Sequence, residues 1–236
     1  MSIRESQRAD TFDEFAGSYD HALAQGLSAT GEDREFFARG RIQLLKRHLD
    51  KLGVHPKGAM EFGCGTGSNL PILLELTGAK SVLGLDVSEK SIEVAKRTIA
   101  SQAVSFARTA DYSPAGEIDL AFCNGVFHHI DPDKRLAAAQ YVHDCLRPGG
   151  LFALWENNPW NPGTRLVMKR IPFDRDAVML SALEGRRLLR KAGFRILSGD
   201  FMFIFPRALR GLRPLEVPLS KLPLGGQYQL LAIKES

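Results

Sequence analysis

The sequence predicts an α/β protein built on a doubly wound sheet of seven strands, mostly parallel, with the last strand antiparallel and helices on both faces. Three observations point there. From residue 58 onward, short apolar runs alternate with segments of helical period, the pattern of parallel strands joined by right-handed crossovers. A glycine-dense turn, EFGCGTG at 61–67, directly follows the first apolar run. Near the C-terminus two apolar runs succeed one another with no helical pattern between them, so they are expected to pair antiparallel.

The elements follow in order. TFDEFAGSYD places Phe12, Phe15, Ala16 and Tyr19 at helical spacing behind a Thr11/Glu14 capping box. A second helix is expected after Thr30, with Ile42, Leu45, Leu49 and Leu52 on one face and Gly53 as its stop. GAMEF (58–62) reads as the first strand, and a helix from about Gly67 carries Leu70, Ile72 and Leu73. SVLGLD (81–86) is the second strand, followed by a helix that Ser88 can cap, through Ile92, Ala95 and Ile99. AVSFA and IDLAFC (118–123) are the third and fourth strands. Asp131-Pro132 offers an N-cap with proline at the first helical position, and that helix should end at Arg147-Pro148-Gly149-Gly150. LFALW is the fifth strand. Residues 157–180, rich in Asn, Pro and Arg, read as an insertion. A helix opened by the Ser181/Glu184 box runs to Gly193, and FMFIF and QYQLLAIK complete the sheet around an irregular stretch, 206–226.

Composition fits one domain over 1–236. Its expected parts are an N-terminal helical cap (1–53), a core (54–156), the insertion (157–180) and a C-terminal helix with strands (181–236). With 44% hydrophobic and 25% charged residues there is ample material for a core. No apolar run reaches the roughly 20 residues needed to span a bilayer, and MSIRESQRAD has no apolar stretch behind it. Cys64, Cys123 and Cys145 are odd in number and lack metal or redox spacing, which suits a cytoplasmic location. The net charge of +4 is uneven: residues 1–150 carry 17 basic against 20 acidic side chains (−3), and residues 151–236 carry 14 against 7 (+7). The basic third is either ordinary solvated surface or faces something anionic.

In an open α/β sheet the ligand lies beyond the carboxyl ends of the strands, so the glycine turn marks the expected site. Gly63, Gly65 and Gly67 permit close backbone approach. A dinucleotide fingerprint needs a sixth-position glycine where Ser68 stands, and a phosphate loop needs a lysine this turn lacks. Two carboxylates sharpen the reading. Asp86, about 20 residues on at the end of the second strand, can take both hydroxyls of a ribose. Glu61, beside the glycines, would oppose a pyrophosphate but favour an ammonium or sulfonium. A ligand with a ribose, no phosphate and positive charge is S-adenosylmethionine.

On these residues the chain resembles the class I S-adenosylmethionine-dependent methyltransferases over roughly residues 10–234. The similar stretches are EFGCGTG, GLDVS, ADY at 110–112, IDLAFCNGVFHHI and LRPGG, in the family's order. The resemblance implies a Rossmann-like sheet with the last strand reversed, which agrees with the pattern above. It also implies that Glu61, Gly63, Cys64 and Gly65 line the methionine part of the cofactor. Asp86 would hold the ribose, Val87 the adenine face, and Asp111 and Tyr112 the adenine edge. Asn124 and Gly125 would run past the methionine end, and S-adenosylhomocysteine would be the product. Tyr19, in AGSYD, is either a lid contact or a core aromatic.

Methyl transfer is an in-line displacement in which the protein positions the acceptor and, where needed, removes its proton. His128 and His129, just past the fourth strand, are candidates for that base, with packing and helix-entry roles as the competing reading. Glu156, ending the fifth strand, is the second candidate. No metal is expected: His143 and Cys145 point to different faces of their helix. Asn157-Asn158-Pro159-Trp160 resembles the Asn-Pro-Pro-aromatic motif of amino-methylating nucleic-acid enzymes but follows the fifth strand instead of the fourth. The expected acceptor is a small molecule, a hydroxyl of a sugar, glycan precursor or secondary metabolite, with anionic and glycosylated forms both open. It would meet Asn157, Asn158, Asn161, Trp155, Trp160, Arg165, Lys169 and Arg170. RNA is an alternative without a basic-aromatic platform to support it, and a non-catalytic cofactor-binding protein is another.

Overall fold

Near-continuous apolar runs, with successive residues facing opposite sides, let each central strand feed two cores at once, and that alternation organises the molecule. In the computed structural model, residues 26–27, 30–174 and 177–235 are described. Strand β1 (Gly58–Phe62) sends Ala59 to one face and Met60 to the other, and β4 (Ile118–Asn124) splits Leu120 and Phe122 from Ala121 and Cys123. Strand β5 (Leu146–Asn157) does the same with Leu151, Ala153 and Trp155 against Phe152 and Leu154. With β2 (Ser81–Asp86), β3 (Val104–Arg108), β6 (Phe194–Met202) and β7 (Gln227–Lys234) they form one sheet, order β3-β2-β1-β4-β5-β7-β6. Only β7 runs antiparallel, pairing β5 and β6, as the sequence predicts.

Helices α1 (Arg34–Leu52), α2 (Leu70–Thr77) and α3 (Glu89–Thr98) cover one face through Ile42, Leu45, Leu70, Leu73 and Ile92. Helices α4 (Arg135–Cys145) and α6 (Ala182–Lys191) cover the other through Ala139, Val142 and Leu189. Helix α5 (Pro162–Arg170) lies between them in sequence, after β5. The strand order reverses between β1 and β4, which places the expected ligand crevice over their carboxyl ends.

Several local expectations are corrected. Helix α1 begins after Asp33, whose side chain accepts from Phe36 N (2.8 Å), and not directly after Thr30. Gly53 does stop it, at φ +64°, but Leu52 is exposed. Asp131-Pro132 opens a turn in which Lys134 N donates to Asp131 O (2.9 Å), and α4 starts only at Arg135. The insertion contains α5, with Asn161 accepting from Thr164 N (3.0 Å) and Pro162 at the first helical position. Strand β6 begins at Phe194, seven residues before FMFIF. It runs through Ser198-Gly199-Asp200, where its pairing with β7 shifts register, and ends at Met202. Asp200 is buried there but paired with Lys221 (2.6 Å) and His48 (3.3 Å). The helix expected around Phe12–Tyr19 lies outside the described residues. All three cysteines are unpaired and buried, and no described helix is long and apolar enough to cross a membrane.

Candidate active site

The glycine turn is pinned to the end of β2. Gly63 N and Cys64 N both donate to Leu85 O, at 2.7 and 2.9 Å. Gly63 sits at φ +73°, and a Cβ there would stand 2.3 Å from Val126 Cγ2, so the turn tolerates no side chain. Gly65 differs: it has φ +52°, yet nothing lies within 4 Å of where its Cβ would be. That open space beside bare backbone is what a close-fitting ligand requires. Asp86 organises the rim, its two oxygens accepting from Gly65 N (2.7 Å) and Ser88 N (2.9 Å). Val87 is half exposed beside it, and Asp111 is exposed 3.7 Å from Arg108 Nε. Tyr112 is partly buried against the core, its carbonyl accepting from Tyr141 (3.0 Å).

Two buried acceptors near the turn lack partners. Glu61 takes Asn69 Nδ2 on one oxygen at 2.6 Å, while its Oε2 is buried and unsatisfied. Burial pushes its carboxyl up to about 8, against the opposing pull of Asn69, Arg41 and Arg34. Asn124 Oδ1, at the end of β4, is likewise buried without a partner. An ammonium would satisfy such atoms, and the methionine end of S-adenosylmethionine carries one. Gly125 follows at φ +68°, its N–H donating to Trp155 O (2.9 Å). Glu61, Asp86 and Asn124 thus stand at or near the carboxyl ends of β1, β2 and β4, while Tyr19 lies outside the described residues.

Beyond Asn124 and Gly125 opens a cavity of about 390 Å³. His128 and His129 line it, joined by Asp174. His128 Nδ1 lies 2.6 Å from Glu156 Oε2, and its Nε2 lies 3.5 Å from Asp174 Oδ1, the atom His129 Nε2 meets at 3.2 Å. Burial alone would depress His128, but the two carboxylates carry it up to about 10. Both ring nitrogens of His128 face carboxylate oxygens, an arrangement that favours its protonated form. Glu156 is fully buried, with Phe127 N (2.7 Å) on its other oxygen, and is not among the cavity's lining residues. Its position orients His128. Burial, then the charge of His128, lowers His129, which therefore stays neutral. Burial would raise Asp174, but both imidazoles hold it at about 2.

The acceptor residues read from the sequence divide. Asn157 and Asn161 line the cavity. Asn158 does not: it is fully buried and donates to Pro223 O (3.1 Å) and Gly225 O (2.8 Å), tying β5 to the chain before β7. Trp155 belongs to the core, and Trp160 is half exposed and away from the cavity. Arg165, Lys169 and Arg170 are not among its lining residues either. The lining cations are Arg34, Arg41 and Arg213. Arg34 bonds Ser68 Oγ, and Arg41 donates to Gln227 (3.0 Å). Arg213 donates to Glu32 (2.7 Å) and stacks 4.4 Å over Phe36.

Comparison with known proteins agrees with this geometry. Residues 60–152 match the family model described as a methyltransferase domain. Trans-aconitate 2-methyltransferase of Rhodopseudomonas palustris is 26% identical over 144 residues, 58% of this chain and 54% of that one. The enzyme of the same name from Rhizobium etli is 32% identical over 104 residues, 42% and 38% of the two chains. The matches span about half or less of these curated relatives. Among solved structures, the 1,6-didemethyltoxoflavin-N1-methyltransferase of Burkholderia thailandensis, with S-adenosylhomocysteine bound, superposes over all of this chain and 92% of its own. Its TM-score is 0.64 at 19% identity. An S-adenosylmethionine-dependent methyltransferase from Mesorhizobium loti covers 75% of this chain and 90% of its own, TM-score 0.55 at 22% identity. Residues 60–152 thus match a methyltransferase domain, on a fold shared with solved S-adenosylmethionine-dependent methyltransferases.

Proposed function

We propose that the chain transfers a methyl group from S-adenosylmethionine to a small molecule bearing carboxylates, held in the cavity beyond Asn124 and Gly125. The observation that carries this reading is the lining: Arg34 and Arg41 from α1 and Arg213 from the segment between β6 and β7, with Asn157, Asn161 and Gln227, around about 390 Å³. Arginine presents a planar fork of donors matched to carboxylate oxygens. Apolar walls from Phe36, Phe37, Val167 and Met168 supply shape and exclude water. The relatives named for trans-aconitate, a small polycarboxylate, support the same acceptor class.

Bound S-adenosylmethionine supplies an electrophilic methyl on a sulfonium. The chain's own work is then positional. Gly63 and Gly65 bring backbone close, Asp86 fixes the ribose, and Glu61 with Asn124 receives the ammonium. Arg34, Arg41 and Arg213 hold the acceptor so that one oxygen faces the methyl. A carboxylate oxygen already carries its nucleophilic charge, so no base is needed. A hydroxyl acceptor would instead call on His129, the neutral imidazole at the cavity wall.

The test is transfer of labelled methyl from the cofactor to a panel in two arms. One contains di- and tricarboxylates, trans-aconitate among them, and the other neutral sugars and polyhydroxylated compounds. The proposal expects label in the carboxylate arm. Label confined to the neutral arm would overturn the acceptor class, and label in neither would overturn the activity.

A further inference from the structure

We propose that His128, His129 and Asp174 form a site for one divalent transition-metal ion, opening on the acceptor cavity. Their ligand atoms all lie within 4.8 Å of one another, with His128 Nε2 and His129 Nε2 at 3.5 and 3.2 Å from Asp174 Oδ1. An ion bound at about 2.0–2.2 Å to imidazole nitrogen and carboxylate oxygen holds neighbouring ligand atoms roughly 3.0–3.5 Å apart. The two spacings to Asp174 therefore already match those of a loaded site.

The donor set is chemically specific. Two imidazoles and one carboxylate suit zinc, iron(II), cobalt(II) or manganese(II) better than magnesium or calcium, which prefer all-oxygen sites. Two histidines with one carboxylate on one side of an ion leave further positions open. Here the open side faces the cavity that all three residues line. The supporting shell is present as well. Glu156 Oε2, 2.6 Å from His128 Nδ1, accepts the N–H of that nitrogen, which leaves the Nε2 lone pair on the side of Asp174. Glu156 is itself fixed by Phe127 N (2.7 Å). A carboxylate behind a ligating imidazole is the usual orienting partner of a metal-bound histidine.

Charge points the same way. His128, Glu156 and Asp174 are all buried. With both histidines neutral, the two carboxylates balance a divalent ion. Arg135, which also acts on this part of the core, donates to the carbonyls of Ile130 (3.0 Å) and Val178. An ion at this place would draw an oxygen of the acceptor into its open positions, a role that rests on the methyltransferase reading. Binding of the ion itself does not.

The test uses the full chain, stripped with a chelator, and neither cofactor nor acceptor. Cobalt(II) is titrated in while visible d–d absorption and the imidazole nitrogen resonances of histidine-labelled protein are followed. One cobalt per chain is expected, with absorption bands of a low-symmetry nitrogen–oxygen site and perturbation of His128 and His129 in preference to the other histidines. His129→Gln and Asp174→Asn should each weaken binding at least tenfold, and Glu156→Gln about 10- to 100-fold through the orienting bond. Thermal unfolding of each variant identifies any that fails to fold, and the wild-type resonances answer the question without variants. A wild-type titration with no bands and no selective histidine shifts overturns the proposal. So does equal cobalt binding by folded His129→Gln and Asp174→Asn. Either failure leaves the methyltransferase reading intact, because no methyl transfer enters the measurement.

Discussion

Replacing Glu61 by Gln should stabilise the empty protein while weakening its hold on the cofactor, and pH should separate the two effects. Glu61 is buried, and its carboxyl is pushed to about 8, against about 4.3 in an unfolded chain. A raised carboxyl means that the native state keeps a proton the unfolded state has lost. Stability therefore falls as pH rises between those two values, by at most about 1.4 kcal/mol per pH unit. Below about pH 4.3 the penalty is absent, and above about pH 8 it is complete. Worked through, the advantage of Gln over Glu grows by ~3–4 kcal/mol between about pH 5 and about pH 8. Gln keeps an oxygen for Asn69 Nδ2, so the 2.6 Å bond survives. Parallel thermal melts should show the gap between the two proteins widening by roughly 7–14 °C across that range for a domain of this size. Calorimetry with S-adenosylhomocysteine should show the converse. Wild-type affinity rises towards about pH 8 as Glu61 ionises against the ligand's ammonium, and Glu61→Gln is weaker with a flatter pH profile. A melting gap that does not change with pH would refute the reasoning.

Three further substitutions bear on other parts of the site. Gly65→Ala meets open space, so it should fold with only the left-handed backbone penalty of about 1–2 kcal/mol yet lose S-adenosylhomocysteine binding; Gly63→Ala, 2.3 Å from Val126, should unfold first, as melts and calorimetry would show. Asn158→Ala should cost on the order of 1–3 kcal/mol by urea titration, since it leaves the buried Gly225 carbonyl without this partner, with KM for the acceptor unchanged. Arg213→Gln should raise KM for a carboxylate acceptor roughly 10- to 100-fold, the worth of a charged hydrogen bond, while cofactor affinity stays as it is.

The sheet was legible because its signals are local. Each strand is a short apolar run, and the reversal of the last strand follows from the absence of a crossover-length helical pattern before QYQLLAIK, where the chain forms only a 3-10 segment (Arg207–Leu215) and a four-residue helix (Glu216–Leu219). The misses have physical causes too. Asn161-Pro162 carries the same cap-and-proline signal as Asp131-Pro132, but only the first opens a helix. At Asp131 the chain spends that signal on a turn closed by Lys134. Ser198-Gly199-Asp200 reads as a turn, yet the register shift beside it lets β6 continue, with Lys221 and His48 neutralising the buried aspartate. The cofactor rim was readable because one turn and two strand ends build it. Arg34 and Arg213 are 179 positions apart in sequence, and Asp174 is 45 positions beyond His129. Only packing brings such residues to one cavity, and no spacing rule reports it. Charge counting misplaced the cations for the same reason: the basic C-terminal third contributes Arg213 but not Arg165, Lys169 or Arg170.

The most direct test of the central claim is a crystal structure of the chain with S-adenosylhomocysteine and a carboxylate acceptor taken from the labelling screen. The account predicts the nucleoside at Gly65 and Asp86, the sulfur turned towards Asn124 and Gly125, and acceptor carboxylates within hydrogen-bond reach of Arg34, Arg41 or Arg213. An acceptor seated outside this cavity, with none of those arginines touching it, would contradict the account.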